Sequence, residues 1–189
     1  METLLSPRKR RGSQRGFTLI EMMVSILVLT IGLVGTAALM SSSVNMGAHA
    51  RYQSTAALLA SEKMEDLDRF PSNDPAMNQG GSLTADVNGY SDSVQISANN
   101  GNINESTNVD GTITLYTQKP DGTVGITTGA ALPAATSDML TFKRRWQITK
   151  DPSIGGTAIT GARQITVLVT LSNQALNPPV SFQTSLVHP

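Results

Sequence analysis

From Phe17 to Met40 the chain is apolar, and the only ionisable side chain in that stretch is Glu21. As a helix, at about 1.5 Å per residue, it is about 36 Å long, enough for a hydrocarbon core of about 30 Å. The pattern then changes. Ala56, Leu59, Ala60, Met64 and Leu67 recur at helical spacing and form one apolar stripe, with Glu62, Lys63, Glu65, Asp66 and Asp68 largely off it. Phe70-Pro71 is a stop, because a residue before proline is pushed out of the α region. The pattern predicts one helix from about Phe17 to Arg69, about 80 Å long. Residues 17–40 would be transmembrane and residues 41–70 amphipathic, the second part packing on a soluble domain.

Beyond Pro71 comes a polar loop from Ser72 to Gly81, and the period then falls to two. Strands are predicted at Tyr90–Ala98, Thr112–Gln118, Leu140–Thr149, Ile165–Ser172 and Val180–Val187. Lys119-Pro120-Asp121-Gly122 is a turn, with Pro at its second position and Gly where φ is positive. It would lead into a short strand at Thr123–Thr127. Residues 99–111, rich in Asn and Gly, read as a surface loop. Leu140, Phe142, Trp146 and Ile148 alternate with polar residues. So do Ile165, Val167, Val169 and Leu171, and so do Val180, Phe182 and Leu186. This implies an antiparallel sheet with one buried face, which the stripe Ala56, Leu59, Ala60, Met64 and Leu67 would cover. The expected class is α+β: a long N-terminal helix packed on a C-terminal antiparallel sheet. Arg144 falls on the apolar parity of its strand, and a bulge, a snorkelling side chain or a salt bridge would each resolve the conflict.

Charge orients the segment. Up to Gly16 there are five basic residues (Arg8, Lys9, Arg10, Arg11 and Arg15) and one acid (Glu2), a net of +4. The remaining 9 basic and 13 acidic residues net −4. The basic flank predicts that residues 1–16 stay cytoplasmic and that residues 71–189 form an exported, β-rich domain. Ala48-His49-Ala50 is a formal signal-peptide site, but the apolar run exceeds the usual 7–15 residues and ends some ten residues before it. A plain anchor would explain the hydrophobicity, but neither Glu21 nor the Gly16-Phe17 junction.

Arg15-Gly16-Phe17-Thr18-Leu19-Ile20-Glu21 resembles the class III signal of type IV prepilins and type II secretion pseudopilins. The resemblance implies cleavage between Gly16 and Phe17 by a prepilin peptidase and N-methylation of Phe17. It also implies that Glu21, fifth from the cut, pairs with the free amine of a neighbouring subunit. Gly16 has no Cβ, so a protease can approach its backbone. A charged carboxylate in the bilayer costs about 2.5–3.5 kcal/mol and calls for a partner, unless Glu21 snorkels to the headgroups. The stretch from Ala56 to Leu67 is similar to the A-x-x-L-A-x-x-x-M-E-x-L pattern of minor pilins of the PilV kind, and the final strands resemble the same proteins. The pilin fold is therefore expected.

The resemblance further implies a structural subunit of a type IV pilus in the inner membrane, crossing it once, with its C-terminal domain periplasmic and later at the cell surface. Other pilin subunits, the inner-membrane assembly platform and membrane lipid would be its partners. A type II secretion pseudopilin is the nearest alternative, and a DNA-uptake or adhesive module a more distant one. No enzymatic frame is visible. His49 and His188 are isolated, there is no G-x-S-x-G elbow or phosphate-binding loop, and no ligand spacing calls for a metal or cofactor. Lys143-Arg144-Arg145 reads as a charged strand face, and the acidic body argues against a nucleic-acid groove.

Overall fold

A computed structural model describes residues 16–109, 111–174, 176 and 178–188. The chain divides into two compact units, Met1–Met46 and Gly47–Pro189, and helix α1, Leu19–Asp68, contributes to both. In the first unit, every described side chain is exposed. The hydroxyls of Ser25, Thr30 and Thr36 donate to the carbonyls of Glu21, Leu27 and Leu33, at 2.7, 2.8 and 3.0 Å. These three hydroxyls are thus satisfied within the helix, as a lipid environment would demand.

The second unit places the end of α1 on an eight-stranded antiparallel sheet. Its strands are β1 (Gly80–Gly81), β2 (Ser91–Ser97), β3 (Ile103–Val109), β4 (Thr112–Gln118), β5 (Val124–Thr128), β6 (Met139–Lys150), β9 (Arg163–Leu171) and β10 (Ser181–His188). A separate hairpin, β7 (Ser153–Ile154) with β8 (Thr157–Ala158), joins β6 to β9. The sheet order is β10-β9-β6-β2-β3-β4-β5, and β1 pairs with β6 beyond the start of β2. Ala56, Leu59, Ala60, Met64 and Leu67 are all buried, in one cluster with Val94, Phe142, Trp146, Ile148, Ile165, Val167 and Val169. Burying each of the Val, Leu, Ile, Phe and Met side chains there stabilises by about 1.5–3 kcal/mol.

Several elements differ from the sequence expectation. Of the loop expected over residues 99–111, the described residues instead form a tight turn followed by β3, and residue 110 lies outside them. Ser97 donates its backbone N–H to Asn102, and β3 then pairs along both edges with β2 and β4. Its Asn residues are tolerated because they are used: the Asn104 side chain is buried and accepts a hydrogen bond from the Thr117 hydroxyl at 2.9 Å. Two-sided ladder pairing outweighs the low strand propensity of Asn. The polar stretch after Pro71 holds a 3-10 turn, Pro75–Met77, capped by the Asp74 carboxylate, and it delivers Met77 into the core. Helix α1 also ends at Asp68, just short of the expected stop, with the Phe70 N–H turning back to the Leu67 carbonyl at 3.2 Å. The Lys119–Gly122 turn forms as expected. The Gly122 N–H donates to the Lys119 carbonyl at 2.9 Å, and Gly122 has φ of 83°.

Arg144 carries a deeply buried charge. It is 1 % exposed, and its cross-strand partner Asp92, also on apolar parity, is 4 % exposed. Arg144 Nε donates to Asp92 Oδ1 at 2.6 Å and Nη2 donates to Oδ2 at 2.9 Å, a bidentate pair. Nη2 also donates to Glu105 on β3, and Nη1 lies 4.0 Å from Glu62 on α1. Lys63 completes the group, with Nζ 3.0 Å from Asp92 Oδ2 and 4.3 Å from the centroid of the Trp146 ring. Of the three resolutions open to Arg144, the structure shows the salt bridge. Burial alone would pull the guanidinium pKa down; Asp92 first, then Glu105 and Glu62, more than offset this and leave it raised.

Two consequences can be measured in the full-length chain. Asp92→Ala leaves Arg144 buried without its bidentate partner, and is expected to cost about 3–5 kcal/mol in chemical denaturation. An Asp92→Leu, Arg144→Met double variant should recover much of that loss. Gly81 has φ of 83° and approaches β6 so closely that a Cβ would stand 2.1 Å from the Trp146 carbonyl oxygen. Gly81→Ala should therefore lower the thermal midpoint more than Gly89→Ala, since Gly89 has φ of 77° but open space around it. The backbone conformation alone costs about 1–2 kcal/mol at either position.

Candidate processing and assembly site

The sequence places the candidate chemistry at the start of α1, and the structure shows how that start is built. Gly16, Phe17 and Thr18 precede the helix and belong to no regular element. Thr18 caps it: its Oγ1 accepts the Glu21 N–H at 3.3 Å, and its carbonyl accepts the Met22 N–H at 3.2 Å. Thr18 and Glu21 thus stand at the spacing of a capping box, in which a hydroxyl satisfies one of the orphan N–H groups of the first turn. Because the cap is at Thr18, α1 begins at Leu19 rather than at Phe17, and the Gly16–Phe17 bond lies outside the helical ladder.

Phe17 is 73 % exposed. Among the described residues, no ion pair includes Glu21. Its carboxylate lies in the first turn, where the helix dipole favours negative charge by about 0.3–1 kcal/mol. The helix is long and apolar enough to cross a membrane, and its apolar window is not buried against the rest of the chain. The arrangement thus offers an accessible peptide bond and, one helical turn later, a carboxylate with its hydrogen-bonding capacity open.

Sequence reasoning passed over Thr18, although T-x-x-E ahead of an apolar run is the signal of such a cap. It also passed over Asp86. Lys143 and Arg145 project from the opposite face of β6 to Arg144, and Asp86 joins them. Lys143 Nζ lies 2.6 Å from Oδ2, and Arg145 Nε lies 2.8 Å from Oδ1. Each cation of the Lys143-Arg144-Arg145 run therefore has a carboxylate partner. His49 and His188 lie on different contacts: Nε2 of His49 is 3.2 Å from the Pro178 carbonyl, and Nδ1 of His188 is 2.9 Å from Asp68 Oδ1. Among the described residues, no group of three or more His, Cys, Asp or Glu side chains could hold a metal ion.

Residues 11–37 match the family model described as the prokaryotic N-terminal methylation motif. The matched segment spans Gly16, Phe17, Thr18 and Glu21. No curated protein and no solved structure matches the chain. The motif supports a type IV pilin-like or pseudopilin subunit, processed by a prepilin peptidase and assembled with other pilins. Together with the apolar helix, it supports membrane anchoring and incorporation into a pilus.

The Asp86 cluster yields a pH prediction. Hydrogen bonding from Lys143 is the main cause holding the Asp86 pKa below its ordinary value, and Arg145 adds to it. The lowered folded-state value means that this stabilisation is present above the ordinary carboxylate pKa of about 3.9 and is lost as pH falls through the folded value. Asp86→Asn should therefore lower the thermal midpoint at neutral pH, with the gap closing as pH is taken below about 3.9. Asp86 is half exposed, so the effect should stay within about 1 kcal/mol.

Proposed function

We propose that this chain is a structural subunit of a type IV pilus, a minor pilin of the PilV kind, cut after Gly16 by a prepilin peptidase and seated in its filament by the apolar helix. The observation that carries this reading is the capped helix start. Gly16 and Phe17 stand free of the ladder, and Glu21 is one turn downstream without an ion-pair partner among the described residues. A peptidase works on backbone that can extend, and the Thr18 cap keeps the scissile bond non-helical. Cleavage turns the Phe17 amide into an ammonium, and N-methylation preserves that charge. The Glu21 carboxylate of an adjacent subunit then neutralises it, and two charges that are each costly in lipid become one pair.

The pattern from Ala56 to Leu67 supports the minor-pilin reading, since it resembles such proteins and its Ala56, Leu59, Ala60, Met64 and Leu67 all lie in the core. Phe17–Met40 would span the inner membrane with the basic leader cytoplasmic, before the subunit enters the pilus. The processing chemistry would be shared by a type II secretion pseudopilin.

The test is the mature N-terminus. Chain recovered from cells that contain the peptidase should begin at N-methylated Phe17, and chain from cells without it should keep residues 1–16. A mature terminus at Arg51, or an uncut chain in both strains, would discard the reading. Glu21→Ala should still be cut, but should enter filaments at least about tenfold less, the ratio expected for losing a pair worth more than about 1.4 kcal/mol.

A further inference from the structure

Residues 129–138 join β5 to β6, and these strands are not neighbours: β4, β3 and β2 lie between them. Four strand spacings of about 4.8 Å make that gap about 19 Å. Ten residues reach about 33 Å when fully extended. The segment is therefore a strap with slack, able to lift without drawing either strand out of the sheet.

The strap runs over the face opposite α1. On that face Thr141, Gln95, Asn104 and Thr117 stand in one row across β6, β2, β3 and β4. Each adjoins a residue of the core-facing row Phe142, Val94, Glu105 and Tyr116, and so points the other way. Gln95 is 1 % exposed and Asn104 6 %. Gln95 Nε2 donates to the Pro133 carbonyl at 3.1 Å, so the middle of the strap lies on the row. Backbone bonds tie its ends. The Gly129 N–H donates to the Ile113 carbonyl at 2.7 Å, and the Asp138 carbonyl accepts from the Ala98 N–H at 2.9 Å. Between these ties, among the described residues, the backbone N–H groups of residues 130–135 form no hydrogen bond with the chain. The Gln95 bond is what holds the middle.

That bond is closely balanced. Its acceptor is a carbonyl, so Gln95 presents its amide nitrogen there, with Thr141 Oγ1 3.4 Å from the same atom. The amide oxygen is left buried without a donor among the described residues. Closing the strap gains one hydrogen bond and strands one acceptor, and the gain and the cost are of similar size. Lifting it returns both ends of the amide to water. Little apolar surface opposes the lift: the strap begins Gly-Ala-Ala-Leu-Pro-Ala-Ala, and Leu132 is its one large aliphatic side chain. Asp138, its one ionisable residue, accepts from the Thr136 and Ser97 hydroxyls.

We infer that residues 129–138 are a strap that opens and closes over the outer face of the sheet, with Gln95 as its latch. Opening uncovers the polar row of Gln95, Asn104 and Thr117 and leaves the strand ladders intact. The device is independent of processing at Gly16–Phe17.

The chain contains no cysteine, so a single Asn104→Cys variant reports opening in the full-length protein. Its reaction with a dithiodipyridine in detergent should be slow relative to that of Ser185→Cys, an exposed site. This ratio should not change over the first additions of urea, because opening the strap exposes little surface. Gln95→Glu, added to Asn104→Cys, is nearly isosteric but sets a carboxylate against the Pro133 carbonyl, and an ionised carboxylate cannot donate. At neutral pH the ratio should rise at least about tenfold over Asn104→Cys alone, somewhat more than one hydrogen bond between neutral groups is worth. Below about pH 4.3 the carboxyl regains its proton and can donate, and the excess over Asn104→Cys alone should disappear. The urea midpoint should fall little, because lifting the strap hydrates the new charge. A ratio that climbs with urea from the start, or that Gln95→Glu leaves unchanged, overturns the proposal. So does a rise that comes only with a large loss of midpoint, since the strap would then be fixed and the charge would unfold the sheet.

Discussion

A guanidinium between a helix and a sheet costs several kcal/mol unless its charge is matched by close partners, and Arg144 meets that condition with groups from three other elements, two of them at hydrogen-bond distance. Asp92 comes from β2, Glu105 from β3 and Glu62 from α1, while Lys63 on α1 shares Asp92. The match depends on register. Side chains alternate between faces along a strand, so a one-residue slip of β2 against β6 would turn Asp92 to the opposite face and leave Arg144 buried without it. The aliphatic side chains around it are more tolerant, because hydrophobic contact is non-directional. The apolar stripe brings α1 onto the sheet, and the charge group determines which strands and which turn of the helix meet there.

The same contrast explains what could be read from the chain beforehand. Periodicity is a local property, and it located α1, its buried face and the strands β6, β9 and β10. Pairing is not local. Residues 99–111 look like a loop because Asn and Gly are frequent, and β3 forms there only because β2 and β4 supply two edges for it. Arg144 broke the parity of its strand visibly, and Asp92 broke the parity of β2 in the same way beside Val94. The two exceptions could have been matched to each other as opposite charges on apolar positions. Lys63 and Glu62 gave no such sign, since charges beside an apolar helical stripe are ordinary. Nor did Asp86, whose role depends on where a loop brings it relative to β6.

At the start of α1 the legible part was the motif and the obscure part was the cap. Glu21 attracted notice as a charge in an apolar run, whereas Thr18 did not, because a hydroxyl in such a run is unremarkable. Their relation is structural. The Thr18 hydroxyl satisfies the N–H of Glu21, so the first turn does not depend on the carboxylate. A helix start capped this way separates two demands that would otherwise fall on one side chain: ending the helix cleanly, and offering a negative charge.

The exposed apolar residues Val124 and Ile126 bear on how β4 and β5 are composed. Thr112, Thr114, Thr117, Thr127 and Thr128 show how these strands obtain β-propensity at little hydrophobic cost, since threonine is β-branched but tolerates water. Threonine in place of Val124 and Ile126 would leave the ladder intact and the surface polar. Their exposed side chains therefore add little to the fold of the isolated chain, and would make a short edge strand more prone to association. The two positions share one face with Tyr116, Ile103 and Glu105, whereas scattered exposed apolar residues need no explanation. Their placement on the continuation of the helix-binding face is what gives them meaning. That face is the continuation of the one on which the amphipathic part of α1 packs.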